Sequence, residues 1–439
     1  MAKSKRITMF VCSSCGEEYV QWQGKCTTCG EWNTLSEVTL SENRYDSVKG
    51  AAPRAALTTL GSVASSSVAR TSTGFPELDR VLGGGLVPGV VILLGGDPGI
   101  GKSTVLIQVA ERVGGSVLYL SGEESAEQIK LRASRLGVQG EAITILPATD
   151  ISQLADAVEQ VKPKLIIIDS IQTTYDPAFP STPGSLVQVR ETALRIQQLA
   201  KRLHIPTVLV GHITKEGTVA GPRTLEHLVD VVLYLEGDSN HQLRILRAAK
   251  NRFGDANETG LFEMTGEGLV EVSNPTSFLL EERVPAAGSV LSVVLEGSRP
   301  MLVEVQALVV PSTFGTPRRT ANGLDVTRLH VLLAVLQRRA GIDLSTHDVY
   351  INIVGGLKVR EPAIDAAICV ALASARQETV LPAEMVIVGE VGLSGELRRV
   401  SQADRRAKAV TQLGYRLVSG HQSIEQLLSA TVTPRKQRR

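Results

Sequence analysis

Residues 96–104 read Gly96-Asp97-Pro98-Gly99-Ile100-Gly101-Lys102-Ser103-Thr104. The apolar run Val90–Leu94 precedes them and Val105-Leu106-Ile107-Gln108-Val109 follows, so the glycines lie where a strand turns into a helix. Gly96, Gly99 and Gly101 let the backbone curl until its amides point at one centre, and the helix N-terminus adds partial positive charge there. That is a cradle for a polyphosphate. Lys102 can reach the β- and γ-phosphates, and the Ser103 hydroxyl can hold Mg²⁺. An accidental glycine turn is the competing reading, and the strand-to-helix context argues against it. The loop predicts binding of a nucleoside triphosphate with Mg²⁺.

Outward from this loop, short apolar runs alternate with helical patterns. Val90–Leu94, Ser116–Leu120, Ile143–Leu146, Lys164–Asp169, Thr207–Gly211 and Val229–Leu235 read as strands, with helices at 102–113, 124–136, 152–161 and 186–203. Such alternation implies a mainly parallel sheet covered by helices, with ligands at the carboxyl ends of its strands. Leu165-Ile166-Ile167-Ile168-Asp169-Ser170 has the form of a strand that delivers Asp169 to a Mg²⁺ water shell. Glu123 and Glu124 follow the strand Ser116–Leu120, which is expected to neighbour the phosphate-loop strand. Glu123 is the first choice as water-activating base, while Glu124 could instead charge the first turn of the next helix. His212, ending another strand, is either a sensor of the γ-phosphate or a structural residue. The loops Gln172–Ser185 and Ile213–Thr224, the latter carrying Lys215 and Arg223, could line a channel for a single strand of DNA or be ordinary surface.

The whole chain has 439 residues, 43% of them apolar, and a net charge of only +1. It is long enough for two or three domains and lacks a general attraction for nucleic acid, so any such contact must come from local patches. Its longest apolar stretches, such as Ala366–Ala373, fall short of a membrane span, and its start lacks the apolar core of a signal peptide. The expectation is a soluble, cytoplasmic protein with no membrane partner.

Four of the five cysteines, Cys12, Cys15, Cys26 and Cys29, form two Cys-x-x-Cys knuckles near the N-terminus. Four thiolates in that pairing suit a tetrahedral Zn²⁺ with no open position, a structural rather than catalytic site; redox chemistry is the alternative. Gly16, Gly24 and Gly30 relieve the tight turns, and Trp22 and Trp32 are expected to supply the apolar packing of a metal-stapled unit. Cys369 lies in a helical apolar pattern and reads as a core residue.

Composition divides the chain into a four-cysteine unit at 1–35, a Ser/Thr/Ala-rich linker at 36–72, the phosphate-loop domain at 73–272, a linker at 273–284, a second α/β domain at 285–433 and a basic tail at 434–439. In the second domain, Ser289–Leu295 and Met301–Val310 read as strands joined by a turn. Helices are expected at 325–340 and 362–376, with the strand Val349–Val354 between them.

Lys250-Asn251-Arg252-Phe253-Gly254 places two cations in a short turn. They could be solvated, or they could reach a γ-phosphate held by a neighbouring subunit. The four-cysteine unit, the phosphate loop and this turn, in that order, resemble the bacterial RadA/Sms DNA-repair family over nearly the whole chain. Leu78–Gly85, Leu120–Ser125 and Gly211–Gly217 fit the same pattern. The resemblance implies a multidomain α/β protein with an N-terminal zinc knuckle, a RecA-like P-loop ATPase core and a C-terminal domain similar to that of Lon proteases. It further implies a DNA-stimulated ATPase that forms a ring of hexameric kind and drives branch migration on single-stranded and branched DNA, with a RecA-type recombinase as partner. Lys250 and Arg252 would then act on the neighbour's nucleotide or on DNA. Matched to the Lon family, Ala363 stands where the nucleophilic Ser would be and Asp404 near the expected Lys, so protease activity is not expected. Lys358, Arg360, Arg398, Arg399, Arg405 and Arg406 could form a DNA-binding rim or be salt-bridged surface. An ATP-dependent Lon-like protease and a nucleotide-gated DNA-binding scaffold are the rival functions.

Overall fold

The computed structural model describes residues 6–12, 18–28, 30–41, 59, 69–179, 181–212, 225–237, 242–313 and 315–432. Cys15, Cys29, the loop 213–224 and the tail 434–439 lie outside these residues, as does the side chain of His212.

At the N-terminus β1 (Arg6–Cys12), β2 (Glu18–Tyr19) and β3 (Leu35–Ser41) form an antiparallel sheet in the order β2-β1-β3. The strand β3 carries the unit to Ser41, beyond the expected end at residue 35. Cys12 and Cys26 are buried in one small cluster with Leu35, flanked by Phe10 and Tyr19. Trp22 and Trp32 were expected in that core, but they are 57% and 67% exposed. The buried cysteines and their aliphatic and aromatic neighbours fill the space instead.

The chain divides into two compact units. The first holds residues 1–236, 245–260 and 264–271; the second holds 237–244, 261–263 and 272–439. After α1 (Pro76–Leu82) the first unit runs β4 (Val91–Gly96), α2 (Lys102–Arg112), β5 (Val117–Ser121), α3 (Ala126–Arg135), β6 (Ile143–Pro147), α4 (Gln153–Val161), β7 (Leu165–Asp169), α5 (Leu186–Leu203), β8 (Thr207–His212) and β9 (Val231–Gly237). The strands β10 (Leu243–Asn251), β11 (Thr259–Thr265) and β12 (Gly268–Glu271) follow. The sheet order is β12-β11-β10-β9-β4-β8-β7-β5-β6, and the run from β9 to β6 is parallel. Every residue of β4, β5 and β7 is buried, as a parallel sheet covered on both faces requires.

This order corrects one expectation. β5 does not neighbour the phosphate-loop strand; β4 pairs with β8 and β9, and β5 pairs with β6 and β7. Sequence order does not determine sheet order here, because β8 comes later in the chain yet inserts between β4 and β7. One strand, β8, thus lies between the phosphate-loop strand and the strand that ends in Asp169. At the sheet's β12 margin, Gln108 of α2 accepts from Leu269 N at 3.0 Å and donates to Leu269 O at 3.2 Å.

In the second unit the helix α6 (Pro275–Leu280), capped by Asn274, occupies the segment read as a linker. Then come β13 (Ser289–Glu296), β14 (Arg299–Pro311), β15 (Arg319–Asn322), α7 (Val326–Ala340), β16 (His347–Ile353), a 3₁₀ turn at Pro362–Ile364, α8 (Asp365–Gln377), β17 (Met385–Ile387), β18 (Glu390–Val391), β19 (Leu397–Arg398), α9 (Ala403–Gln412), β20 (Arg416–Val418) and α10 (Ile424–Thr431). Six strands form a mixed sheet in the order β15-β16-β14-β13-β17-β20. The helix α8 is buried from Asp365 through Ser374, Cys369 included, so it is apolar nearly all round and serves as the core of the unit.

Candidate nucleotide and metal sites

The phosphate loop connects β4 to α2, and its glycines have left-handed φ where the curl demands it: +155° at Gly96, +76° at Gly99 and +115° at Gly101. A Cβ on Gly96 would stand 2.6 Å from Leu235 O, and one on Gly101 would stand 2.5 Å from Met264 Cε, so only glycine fits there. At Gly99 a Cβ would meet nothing within 4 Å, which marks the open side of the curl. Ile100 is buried, Asp97 and Pro98 are exposed, and Ser103 and Thr104 are half-buried in the first turn of α2. Lys102 is itself buried, and its Nζ donates to Gly96 O at 2.8 Å and Asp97 O at 2.9 Å. Burial lowers its pKa below the ordinary lysine value, against the opposing pull of Asp169, Asp97 and Glu123. An ammonium held inside a curl of backbone, facing three carboxylates and an open mouth, fits a phosphate chain with its divalent cation.

Asp169 ends β7 and is buried; its Oδ2 accepts from the Tyr119 hydroxyl at 2.6 Å. The following residue, Ser170, is fully buried and donates from Oγ to Glu123 Oε1 at 2.5 Å. Gly122 N also donates to Asp169 O at 2.9 Å, so the turn after β5 is tied to the end of β7. Glu123 is thereby held at the end of β7, near enough for its charge to act on Lys102. Its exposed side lines an open cleft of about 460 Å³ with Asp150 and Tyr175. Glu124 turns away to an ion pair with Arg132, and Ser125 rather than Glu124 caps α3, in a capping box with Gln128. In the β4–β8 register His212 lies opposite Gly96, which sets its backbone beside the loop.

The segment 172–185 is anchored. Gln188 donates to the carbonyls of Asp176, Phe179 and Ser181 and accepts from Asp176 N, while Arg195 pairs with buried Asp176 at 2.6 Å. The turn Lys250–Gly254 is anchored too. Lys250 Nζ donates to Glu226 O at 2.6 Å and Val229 O at 2.9 Å, and Arg252 pairs with buried Asp230 at 3.1 Å. Asn251 donates to Val81 O, and Arg70 donates to Phe253 O. Partial burial and the neighbouring Arg252 charge lower the Lys250 pKa. Tyr119, Ser170 as a partner of Glu123, and Asp230 carry geometry that the sequence reading missed. The one signal for Tyr119 was an aromatic hydroxyl inside an otherwise aliphatic strand.

In the N-terminal unit, Cys26 N donates to Glu31 O and Gly30 N to Cys26 O, both at 2.9 Å, with Gly30 at φ +78°. Cys26 in this turn and Cys12 at the end of β1, two buried thiols in one cluster, suit a zinc-binding donor set.

Sequence comparison identifies the same parts. A family described as a rubredoxin metal binding domain matches residues 10–37, and one described as an AAA domain matches residues 58–218. The DNA repair protein RadA of Bacillus subtilis (strain 168) is 47% identical over 427 residues, covering 95% of this chain and 92% of that protein. The RadA of Streptococcus pyogenes serotype M1 is 48% identical over 419 residues, covering 94% and 92%. The RadA of Listeria monocytogenes serovar 1/2a is 45% identical over 423 residues, covering 95% and 93%. The chain belongs to the RadA family of DNA repair proteins.

As a RadA-family protein it joins a zinc ribbon to a P-loop ATPase core. Among the described residues no helix is long and apolar enough to cross a membrane. Its second unit holds a cleft of about 680 Å³ whose wall includes Arg328, Lys358, Arg360, Glu361 and Asp365. Among the described residues that line it there is no serine, threonine or cysteine. Ala363 is buried in the 3₁₀ turn beside it, and Asp404 lies in the first turn of α9. Lys358 and Arg360 are exposed. Arg406, read as a rim cation, is instead fully buried: it pairs with Glu361 and donates to Val293 O at 2.7 Å and Ser401 O at 3.0 Å. Arg398 is ion-paired with Glu396 at 2.7 Å.

Proposed function

We propose that this chain is a DNA-dependent ATPase motor that works as a hexameric ring and drives branch migration of recombination intermediates beside a RecA-type recombinase. The observation that carries the reading is the convergence of Lys102, Asp169 and Glu123 at the carboxyl edge of one parallel sheet, in a chain of a DNA-repair family. ATP with Mg²⁺ would supply the transferable phosphoryl group and the divalent charge beside it. The amides of Gly96–Thr104 and Lys102 would bind the phosphate chain, and Ser103 and Asp169 would hold the metal. Glu123, held by Ser170 and open to solvent on its other side, would take a proton from the attacking water. His212, beside Gly96, would respond to the γ-phosphate end of the site.

Lys250 and Arg252 are fixed to their own subunit by Glu226, Val229 and Asp230, and a fixed pair of cations can present a constant geometry to a neighbour's nucleotide or to DNA. Cys12, Cys15, Cys26 and Cys29 would hold Zn²⁺ as a structural staple. Among the described residues that line the cleft beside Ala363 there is no serine, threonine or cysteine to act as nucleophile, which supports a scaffold rather than a protease.

The experiment is ATP hydrolysis with and without single-stranded and branched DNA, across a salt series, for the natural chain and Lys102→Ala. Turnover should vanish in the variant while the fold persists. Stimulation by DNA should weaken steeply as salt rises, because phosphate contacts release counterions. Undiminished hydrolysis in Lys102→Ala, or no DNA stimulation at any salt concentration, would sink the reading.

A further inference from the structure

Tyr119 is 1% exposed in the middle of β5, and its hydroxyl donates to Asp169 Oδ2 at 2.6 Å. In the parallel β5–β7 register Ser121 lies opposite Asp169, so Tyr119, two residues earlier, projects from the same face of the sheet as Ser121. The other inner residues of β5, Val117, Leu118 and Leu120, are aliphatic. A phenylalanine would fill the same volume, so the hydroxyl is the feature that packing alone does not require. Asp169 makes no other side-chain hydrogen bond among the described residues, which leaves Oδ1 as its available oxygen.

We propose that Tyr119 is a positioning residue for the metal site, fixing the Asp169 carboxylate in one rotamer so that Oδ1 alone is offered to Mg²⁺. The proposal rests on Asp169 being the metal anchor. A phenol carries its proton at neutral pH, so in this bond Tyr119 is the donor and Asp169 the acceptor. Two effects of the bond oppose each other. Donation withdraws charge from the carboxylate, which weakens its hold on a cation; it also removes the rotational freedom that metal binding would otherwise have to freeze. Orientation wins because Asp169 is buried beside Lys102, whose ammonium would draw a free carboxylate toward itself.

The test measures the affinity of full-length protein for a fluorescent ADP, once with Mg²⁺ and once with EDTA, in the natural chain, Tyr119→Phe and Asp169→Asn, with a thermal melt of each. For Tyr119→Phe the metal-free affinity should stay unchanged and the enhancement by Mg²⁺ should fall about tenfold. An unchanged enhancement in Tyr119→Phe, with or without a lower melting temperature, beside a lost enhancement in Asp169→Asn overturns the positioning role and leaves the metal anchor standing. An enhancement unchanged in both variants removes the anchor, and the proposal with it. A larger enhancement in Tyr119→Phe would show that charge withdrawal dominates and would also overturn it.

Discussion

Ser170 Oγ donates to Glu123 Oε1 across 2.5 Å, so the residue after Asp169 holds the carboxylate after β5. The bond ties two turns that the chain separates and the sheet brings side by side. For Ser170→Ala we expect ATP turnover to fall about tenfold, because a loosened Glu123 samples unproductive orientations. Nucleotide affinity should change little. Steady-state hydrolysis and equilibrium binding check the two halves, and an unchanged turnover number would remove Ser170 from the machinery.

Lys102 yields a prediction with pH. Burial holds its pKa in the folded chain below the 10.5 of an ordinary lysine. Between those two values the unfolded chain binds more protons, so stability rises with pH across that window. At neutral pH the buried charge is a cost. Lys102→Met should therefore melt at a higher temperature than the natural chain at pH 7, and the difference should shrink toward pH 10.5. Thermal melts of both proteins across that range provide the check; a pH-independent difference would contradict the assignment.

The pair Arg406–Glu361 is asymmetric. Arg406 is fully buried, whereas the Glu361 side chain retains 24% exposure. Glu361→Ala would strand a buried guanidinium and should cost about 3–5 kcal/mol. Arg406→Met leaves a carboxylate that water can reach and should cost less than that. Urea unfolding of both variants measures the order, and the reverse order would falsify the account.

Purified reduced protein should carry about one zinc ion per chain, as four thiolates require. Cys26→Ser should lower that ratio, since Cys26 is buried where its turn and the β1 end share a cluster. Elemental analysis decides it, and a ratio near zero in the natural chain would overturn the zinc reading.

Local signals were readable in the sequence. The glycines of the phosphate loop and the apolar periodicity of β4, α2, β7 and α5 depend on neighbours within a few residues, and these elements lie where the sequence predicts them. What depends on partners far along the chain was not readable. β8 separates β4 from β7 only because of how the crossovers wind, so Glu123 is tied to the end of β7 through Ser170 rather than standing on a strand next to the phosphate loop. Tyr119 looks like a core aromatic until Asp169, 50 residues away, is set against its hydroxyl. Arg406 looks like surface charge until Glu361, 45 residues back along the chain, is found covering it.

The bidentate contact of Gln108 with Leu269 bears on how copies of this chain can meet. An open sheet margin invites strand addition from another molecule. At β12 the amide of Gln108 already supplies Leu269 with the acceptor and donor that an incoming strand would bring. The ATPase sheet therefore terminates itself with a side chain from the phosphate-loop helix. Another copy of the chain adding a strand at Leu269 would first have to displace that side chain.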